Sequence, residues 1–157
     1  MKIAAQLLDE IVAHARENSR IECCGVVAVA ESGADGKRTA TRVYRAENIH
    51  ASALKFEIDP MELLRLNNAI DDEGWEIGAI YHSHVRSAPF PSQTDIGFAA
   101  SWPGVEWIIV GLASGEQPLV RSYLIDGPDV REVAVESDGS PAGSGAGTAT
   151  GAAETPS

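Results

Sequence analysis

The sequence predicts a single α/β domain built on a mixed, largely antiparallel β-sheet flanked by helices. Segments with apolar residues at helical spacing are interspersed with short apolar runs rich in valine and isoleucine, bounded by turn residues. These helices and strands do not alternate strictly, which argues against an all-parallel sheet. A chain of 157 residues has the length of one domain and can bury enough surface to fold without disulfides.

The first elements are a helix and a β-hairpin. Residues Ile3 to Arg16 carry apolar side chains at helical spacing and contain no proline or glycine, which predicts a helix. Cys23 to Ala30 is a valine-rich strand, and the turn residues at 32–36 predict that Arg38 to Tyr44 returns beside it. We expect another short strand at Phe56 to Ile58.

A second helix follows, with clear signals at both ends. Asp59 is a good N-cap, Pro60 suits the first helical position, and Gly74 ends the helix. Four further strands and one helix are then predicted, the strands at Trp75–Tyr81, Val105–Gly111, Pro118–Ile125 and Val130–Val135, and the helix at Thr94–Ala100.

The last 21 residues differ in composition from the rest of the chain. From Ser137 onward the sequence consists mainly of Ser, Gly, Ala, Thr and Pro. Such a segment cannot bury enough apolar surface to offset the entropy lost on ordering. We therefore expect a folded domain at residues 1–136 and a disordered tail at residues 137–157.

Composition and charge exclude several classes of function. With 23 acidic and 12 basic residues the formal net charge is -11 and there is no basic run, which argues against nucleic-acid or anionic-membrane partners. Asp9 and Glu10 interrupt the stretch that a secretory signal would keep apolar. The two cysteines, Cys23 and Cys24, are adjacent and form no disulfide framework. We expect a cytoplasmic protein.

The most informative segment contains two histidines, a serine and an aspartate. His82 and His84 are two residues apart at the end of a predicted strand, so both imidazoles project from the same face. If the proline-containing loop after them folds back, Asp95 becomes a third ligand, and the fourth tetrahedral position of a zinc ion stays open. Taken singly, the histidines could be a chance pair, and Ser92 with Asp95 could be only a helix capping box.

Together these residues resemble the JAMM (MPN+) zinc metalloprotease motif. The order His-Ser-His, seven residues, Ser, two residues, Asp matches that motif in full, and Glu22 stands where the motif has an upstream glutamate, just before Cys24-Gly25. The resemblance covers about residues 1–136 and is greatest to short bacterial and archaeal single-domain members. It implies an MPN/JAB-like fold, similar to that of cytidine deaminases.

The resemblance also implies roles for individual residues. His82, His84 and Asp95 would bind Zn²⁺, Glu22 would act as general base, and Ser92 would donate a hydrogen bond to the oxyanion. Ser83, between the histidines, would face away from the metal and serve structure only. Cys24 as a nucleophile is a weaker alternative, since a cysteine in a valine run is usually a buried apolar residue.

The function that the resemblance implies is hydrolysis of a peptide or isopeptide bond. The substrate would be the C-terminal Gly-Gly tail of a small ubiquitin-like or sulfur-carrier protein, for example one carrying an amino acid such as cysteine. Two alternatives remain, a non-catalytic binding scaffold on the same fold and a zinc amidase acting on a small-molecule amide. Barrel amidohydrolases are excluded by length, and zinc deaminases by the absence of their Pro-Cys-x-x-Cys motif. The sequence leaves the oligomeric state open.

Overall fold

A computed structural model describes residues 1–31, 34–113, 115 and 117–137. Most of the predicted turn at 32–36 is described, but Ser32 and Gly33 lie outside these ranges. The predicted tail also lies outside them, except for its first residue. That residue, Ser137, belongs to the last described strand.

The predicted α/β class is confirmed, with three helices and eight strands in the described residues. In chain order these are β1 (Lys2–Ile3), α1 (Ala5–Glu17), β2 (Cys24–Ala30), β3 (Thr39–Ala46), α2 (Pro60–Asp72), β4 (Glu76–His84), α3 (Gln93–Ala99), β5 (Glu106–Gly111), β6 (Leu119–Asp126), β7 (Asp129–Val133) and β8 (Glu136–Ser137). Strands β1 and β8 were not predicted, because two residues are too few to show a periodic pattern.

All eight strands form one sheet, in the order β7-β6-β5-β4-β2-β3-β1-β8. Strand β4 lies inside the sheet and pairs antiparallel with β2 and parallel with β5. Of the seven pairings between described strands, four are antiparallel and three are parallel. The prediction of a mixed, largely antiparallel sheet is therefore confirmed.

The sheet is covered on both faces, and β4 contributes to both. Helix α1 packs Leu8 and Ile11 into a cluster that includes Tyr81 of β4. On the opposite face, residues of α2 and α3 pack into a cluster that includes Ile80 and Trp107. Because β4 is buried on both sides, its sequence is nearly continuous in apolar residues up to the histidines.

Helix α2 begins and ends where the sequence predicts. The Asp59 side chain accepts hydrogen bonds from the backbone N–H groups of Met61 and Glu62, at 3.0 and 3.2 Å, and Pro60 is the first helical residue. After the helix, Gly74 adopts a φ of 80°, a left-handed conformation that favours glycine.

The predicted strand at residues 56–58 is wrong. This segment has no strand partner and is held instead by the buried side chain of Asn48, whose Nδ2 donates to Lys55 O at 3.0 Å and whose Oδ1 accepts from Glu57 N at 3.2 Å. The backbone N–H of Ile49 also donates to Glu57 O at 3.0 Å, so the Asn48 amide and one backbone bond hold the segment without a strand partner. The alternation of residues 56–58 reflects burial of Phe56 and Ile58 beneath α2.

Candidate metal centre and active site

Three buried side chains meet where β4 ends and α3 begins. His82 Nε2 lies 3.1 Å from His84 Nε2 and 3.1 Å from Asp95 Oδ2, and His84 Nε2 lies 3.3 Å from that same oxygen. Each of the three residues is at most 3% exposed. The loop after His84 does fold back, as the sequence analysis required, and the three residues form a group able to hold a metal ion.

The hydrogen bonding of His84 determines which of its ring nitrogens faces Asp95. His84 Nδ1 lies 2.8 Å from Ala88 O, and a carbonyl only accepts, so Nδ1 carries the proton. In the neutral imidazole, Nε2 then presents a lone pair towards the Asp95 carboxylate. Two such acceptors at 3.3 Å repel each other unless a proton or a metal ion lies between them. Two imidazole nitrogens and one carboxylate oxygen are a ligand set that suits zinc.

The ionisation of these residues follows from burial and mutual contact. Burial alone would raise the pKa of the Asp95 carboxyl, but the neighbouring His82 and the hydrogen bonds from both histidines and Ser92 N hold it well below its usual range. Burial lowers the pKa of His82, and Asp95 only partly offsets this. For His84, the bonds to Asp95 and Ala88 outweigh burial and raise the pKa. Asp95 is therefore a carboxylate, as a metal ligand must be.

Helix α3 holds Asp95 through its first turn. Ser92 Oγ accepts from Asp95 N at 3.1 Å, and Asp95 Oδ2 accepts from Ser92 N at 2.9 Å, which completes a capping box. The predicted capping role is therefore present in the same residues as the predicted ligand. Because Ser92 Oγ receives the amide hydrogen as an acceptor, its own proton can be donated elsewhere, and Ser92 is exposed.

Glu22 lies two residues before β2, the strand that pairs with the histidine strand β4. Its backbone N–H donates to Ser52 O at 2.8 Å, and its carbonyl accepts from Asn48 Nδ2 at 3.0 Å. Burial raises the pKa of Glu22 to about 7; the negative charge of Asp95 adds to the rise and His84 opposes it. A carboxyl group with a pKa near neutrality can both accept and release a proton.

Ser83 and Cys24 lie where strand alternation predicts. Ser83 points away from the histidine ligands; its Oγ accepts from Cys23 N at 2.9 Å and its N–H donates to Cys23 O at 3.1 Å. These bonds tie the segment that carries Glu22 to β4. Cys24 is fully buried beside His82 across the β2–β4 pair. Burial raises the pKa of its thiol to about 12, so it is not a nucleophile at neutral pH.

The remaining histidines and the tryptophans have structural surroundings. His14 is buried, and its Nδ1 lies 2.7 Å from Tyr81 Oη. His50 pairs with Glu57 at 2.9 Å. The tryptophans cover the sheet: Trp107 is buried in the cluster that faces α2 and α3, and Trp75 and Trp102 pack against that cluster.

Sequence reasoning missed residues that surround the histidines. The Phe56 ring stacks on His82, with centroids 4.5 Å apart and an angle of 24° between the rings, and Trp107 meets His82 edge-on at 6.4 Å. The only sequence feature that pointed to Phe56 is the apolar alternation at residues 56–58, which predicts a strand. Asn48 holds both the segment that contains Phe56 and the carbonyl of Glu22. Nothing in the sequence around Asn48 predicts this role.

A known protein family matches the part of the chain that carries this site. The family described as prokaryotic homologs of the JAB domain matches residues 4–126. The chain belongs to this family. The match includes Glu22, both histidines, Ser92 and Asp95, so the candidate site lies within the family's domain, and the resemblance predicted from the sequence is confirmed.

Relatives of known name are peptidases or conjugate-cleaving proteases. A desampylase from Haloferax volcanii is 37% identical over 114 residues, covering 69% of this chain and 78% of that protein. A CysO-cysteine peptidase from Mycobacterium tuberculosis is 31% identical over 131 residues, covering 83% and 86%. A probable TtuB-protein conjugate cleaving protease from Thermus thermophilus is 35% identical over 130 residues, covering 82% and 77%.

Solved structures agree on the fold. A solution structure from Desulfitobacterium hafniense has a TM-score of 0.77 and 28% identity, and covers 88% of this chain and 93% of that one. A JAMM protein, described as a metalloprotease-like zinc site in the proteasome and signalosome, has a TM-score of 0.55 and 21% identity, and covers 88% and 98%.

In the described residues, no helix is long and apolar enough to cross a membrane.

Proposed function

We propose that this protein is a zinc-dependent hydrolase with His82, His84 and Asp95 as metal ligands. The observation that carries the proposal is the convergence of two imidazole nitrogens and one carboxylate oxygen, all buried, within 3.3 Å of one another. Three protein ligands leave a position for water, which is the arrangement of catalytic rather than structural zinc. Zinc in such a site lowers the pKa of water towards about 7 and polarises the scissile carbonyl.

Glu22 is the general base of the proposed reaction. With a pKa raised to about 7, its carboxylate accepts a proton from the attacking water at neutral pH and then delivers it to the leaving amine. Amide hydrolysis needs this delivery because an amine leaves as a neutral molecule. The bonds to Asn48 and Ser52 fix the backbone of Glu22 without help from substrate.

Ser92 stabilises the oxyanion. Its oxygen accepts from Asp95 N, which orients the hydroxyl, and its exposed position at the start of α3 leaves the proton available to a substrate oxygen. Loss of one such donor typically lowers the rate by about 10²–10³. The same residue therefore caps α3 and takes part in catalysis.

The substrate that we propose is a small ubiquitin-like or sulfur-carrier protein, cleaved after its C-terminal Gly-Gly. The names of the relatives support this, since they act on CysO-cysteine, on TtuB-protein conjugates or as desampylases. The bond cleaved would be the peptide or isopeptide bond that joins the tail to an attached amino acid, such as cysteine, or to a protein. An extended tail could add as a strand, with glycines where side chains would block approach to the metal.

We place the reaction in the cytoplasm, consistent with two unpaired cysteines.

The experiment that tests the function uses a carrier protein whose Gly-Gly end is extended by one cysteine. Wild-type enzyme loaded with one equivalent of zinc should release cysteine, detected as a mass loss in the carrier. A chelator should stop the reaction and added zinc restore it, and Glu22→Gln should be inactive while still holding zinc. A carrier ending in Ala-Ala-Cys is the control for the tail.

Three outcomes separate the alternatives. Zinc binding with cleavage of a simple acylated amine, but of no carrier, would favour the small-molecule amidase. Zinc binding without cleavage of any amide would favour the scaffold. Absence of zinc from wild type purified without chelator would contradict the metal site itself.

A further inference from the structure

The loop at residues 85–91 connects the two histidine ligands to Asp95 and is anchored at its second half. Ala88 is exposed, but its carbonyl points inward and accepts from His84 Nδ1 at 2.8 Å and from Phe90 N at 2.7 Å. This carbonyl therefore decides which nitrogen of His84 carries the proton and which faces the metal position. Whatever holds the Ala88–Pro89 peptide in place also holds His84.

A tyrosine from β6 holds the next peptide of the loop, Pro89–Phe90. Tyr123 is 1% exposed, and its hydroxyl donates to Pro89 O at 2.5 Å. Its ring also meets the Phe90 ring edge-on, with centroids 5.5 Å apart. Tyr123 lies on β6, two strands away from β4 in the sheet, and touches the loop on the residue directly after Ala88.

The absence of a side chain on Gly111 lets the loop lie this close to the sheet. Gly111 pairs with His84 across β4 and β5, and a Cβ added to it would come within 2.8 Å of Pro89 Cδ. The proline ring thus rests on the backbone beside His84, while Tyr123 binds the carbonyl of the same proline. Two independent contacts set the position of one residue.

We propose that Tyr123 is a positioning residue for the metal ligand His84, acting through the 85–91 loop. It acts through the loop and not as a ligand. Its hydrogen bond to Pro89 O keeps Ala88 O in line with His84 Nδ1, so that the lone pair of Nε2 faces Asp95 and His82. The inference rests on the proposed zinc site, and it assigns to β6 a part in metal binding that no ligand motif reveals.

The test compares two tyrosine variants. Tyr123→Phe removes only the hydroxyl and keeps the ring against Phe90. Tyr44→Phe is the matched control, because Tyr44 has a hydroxyl that is also buried but has no hydrogen-bond partner among the described residues. Zinc affinity is measured by competition with a chromogenic chelator, and histidine tautomers in the metal-free proteins by ¹⁵N NMR.

We expect Tyr123→Phe to weaken zinc binding by about tenfold, at the lower end of the range for partners of metal ligands. The protonated Nδ1 signal of His84 should shift or broaden in this variant, whereas simple loss of stability would leave the tautomer of the folded protein unchanged. Tyr44→Phe should match wild type in both measurements. An unchanged zinc affinity in folded Tyr123→Phe, or an equal loss in Tyr44→Phe, would overturn the inference. Failure of wild type to bind zinc would overturn the proposed function instead.

Discussion

Replacing the proposed general base should stabilise the metal-free protein while it abolishes activity. Burial raises the pKa of Glu22 from 4.5 to about 7, so between these values the folded protein holds a proton that the unfolded chain has released. Stability therefore falls as the pH rises from about 4.5 to 7, and above 7 the folded protein carries the full cost of a buried carboxylate. Glu22→Gln removes that cost because its side chain stays neutral.

The size of the effect follows from the same shift. A change in pKa from 4.5 to about 7 corresponds to at most about 3–4 kcal/mol, at about 1.4 kcal/mol per pH unit. Relaxation of the protein and entry of water around a buried charge lower this cost, so we expect about 1 kcal/mol of added stability at pH 8. In a domain of this size that corresponds to a rise in Tm of roughly 2–4 °C.

The assay is urea unfolding with a chelator present, at pH 4.5 and at pH 8. The urea midpoint of Glu22→Gln should exceed that of wild type at pH 8 and match it at pH 4.5, with the same m-value at both. Glu10→Gln, on the exposed side of α1, is the control for loss of a surface charge. A gain that is equal at both pH values, or no gain at pH 8, would refute the idea that a buried carboxylate costs stability here.

Three further substitutions, one with a matched control, test the site and the sheet. Asp95→Asn should reduce bound zinc from about one equivalent to near zero by mass spectrometry, because the ligand charge is lost; full retention of zinc would contradict the ligand assignment. Ser92→Ala should keep zinc, lower the rate of amide cleavage by about 10²–10³ and destabilise the protein by about 1 kcal/mol through loss of the cap; an unchanged rate would exclude the oxyanion role. Gly25→Ala should destabilise the protein by about 1–3 kcal/mol in urea unfolding, since its Cβ would lie 2.4 Å from Tyr81 Cε2. Gly97→Ala meets nothing within 4 Å and should be neutral or stabilising, so equal losses in both would refute the steric argument.

The elements that the sequence predicted well are those whose signals are local. Asp59, Pro60 and Gly74 mark the ends of α2 by their own backbone and capping chemistry, and those ends were found within two residues. The pairing of His82 with His84 needs only the two-residue repeat of a strand. Ser92 and Asp95 are three residues apart, so their capping box is equally visible in the sequence.

What the sequence did not reveal depends on contacts between distant residues. Asn48 replaces a strand partner for residues 55–57, and nothing in its neighbourhood distinguishes it from an ordinary loop asparagine. Tyr123 is 34 residues from Pro89, and its apolar neighbours in β6 predict only a buried strand position. Only the family resemblance implied that Glu22 belongs to the same site as His84 and Asp95. Glu22 and His82 are 60 residues apart, and this spacing gives no information about distance until β2 and β4 are known to pair.

One atom, Asp95 Oδ2, belongs both to the capping box and to the proposed ligand set. Asp95 Oδ2 accepts from Ser92 N at 2.9 Å and also faces both histidine nitrogens. The folded helix start therefore orients the carboxylate before any metal arrives, so little side-chain entropy remains to be lost on binding. A glutamate at this position would keep the charge but move its oxygens by one methylene, away from both the amide and the histidines. The capping interpretation and the ligand interpretation of Ser92-Gln93-Thr94-Asp95 are thus compatible, because the cap would preorganise Asp95 for its proposed role as a ligand.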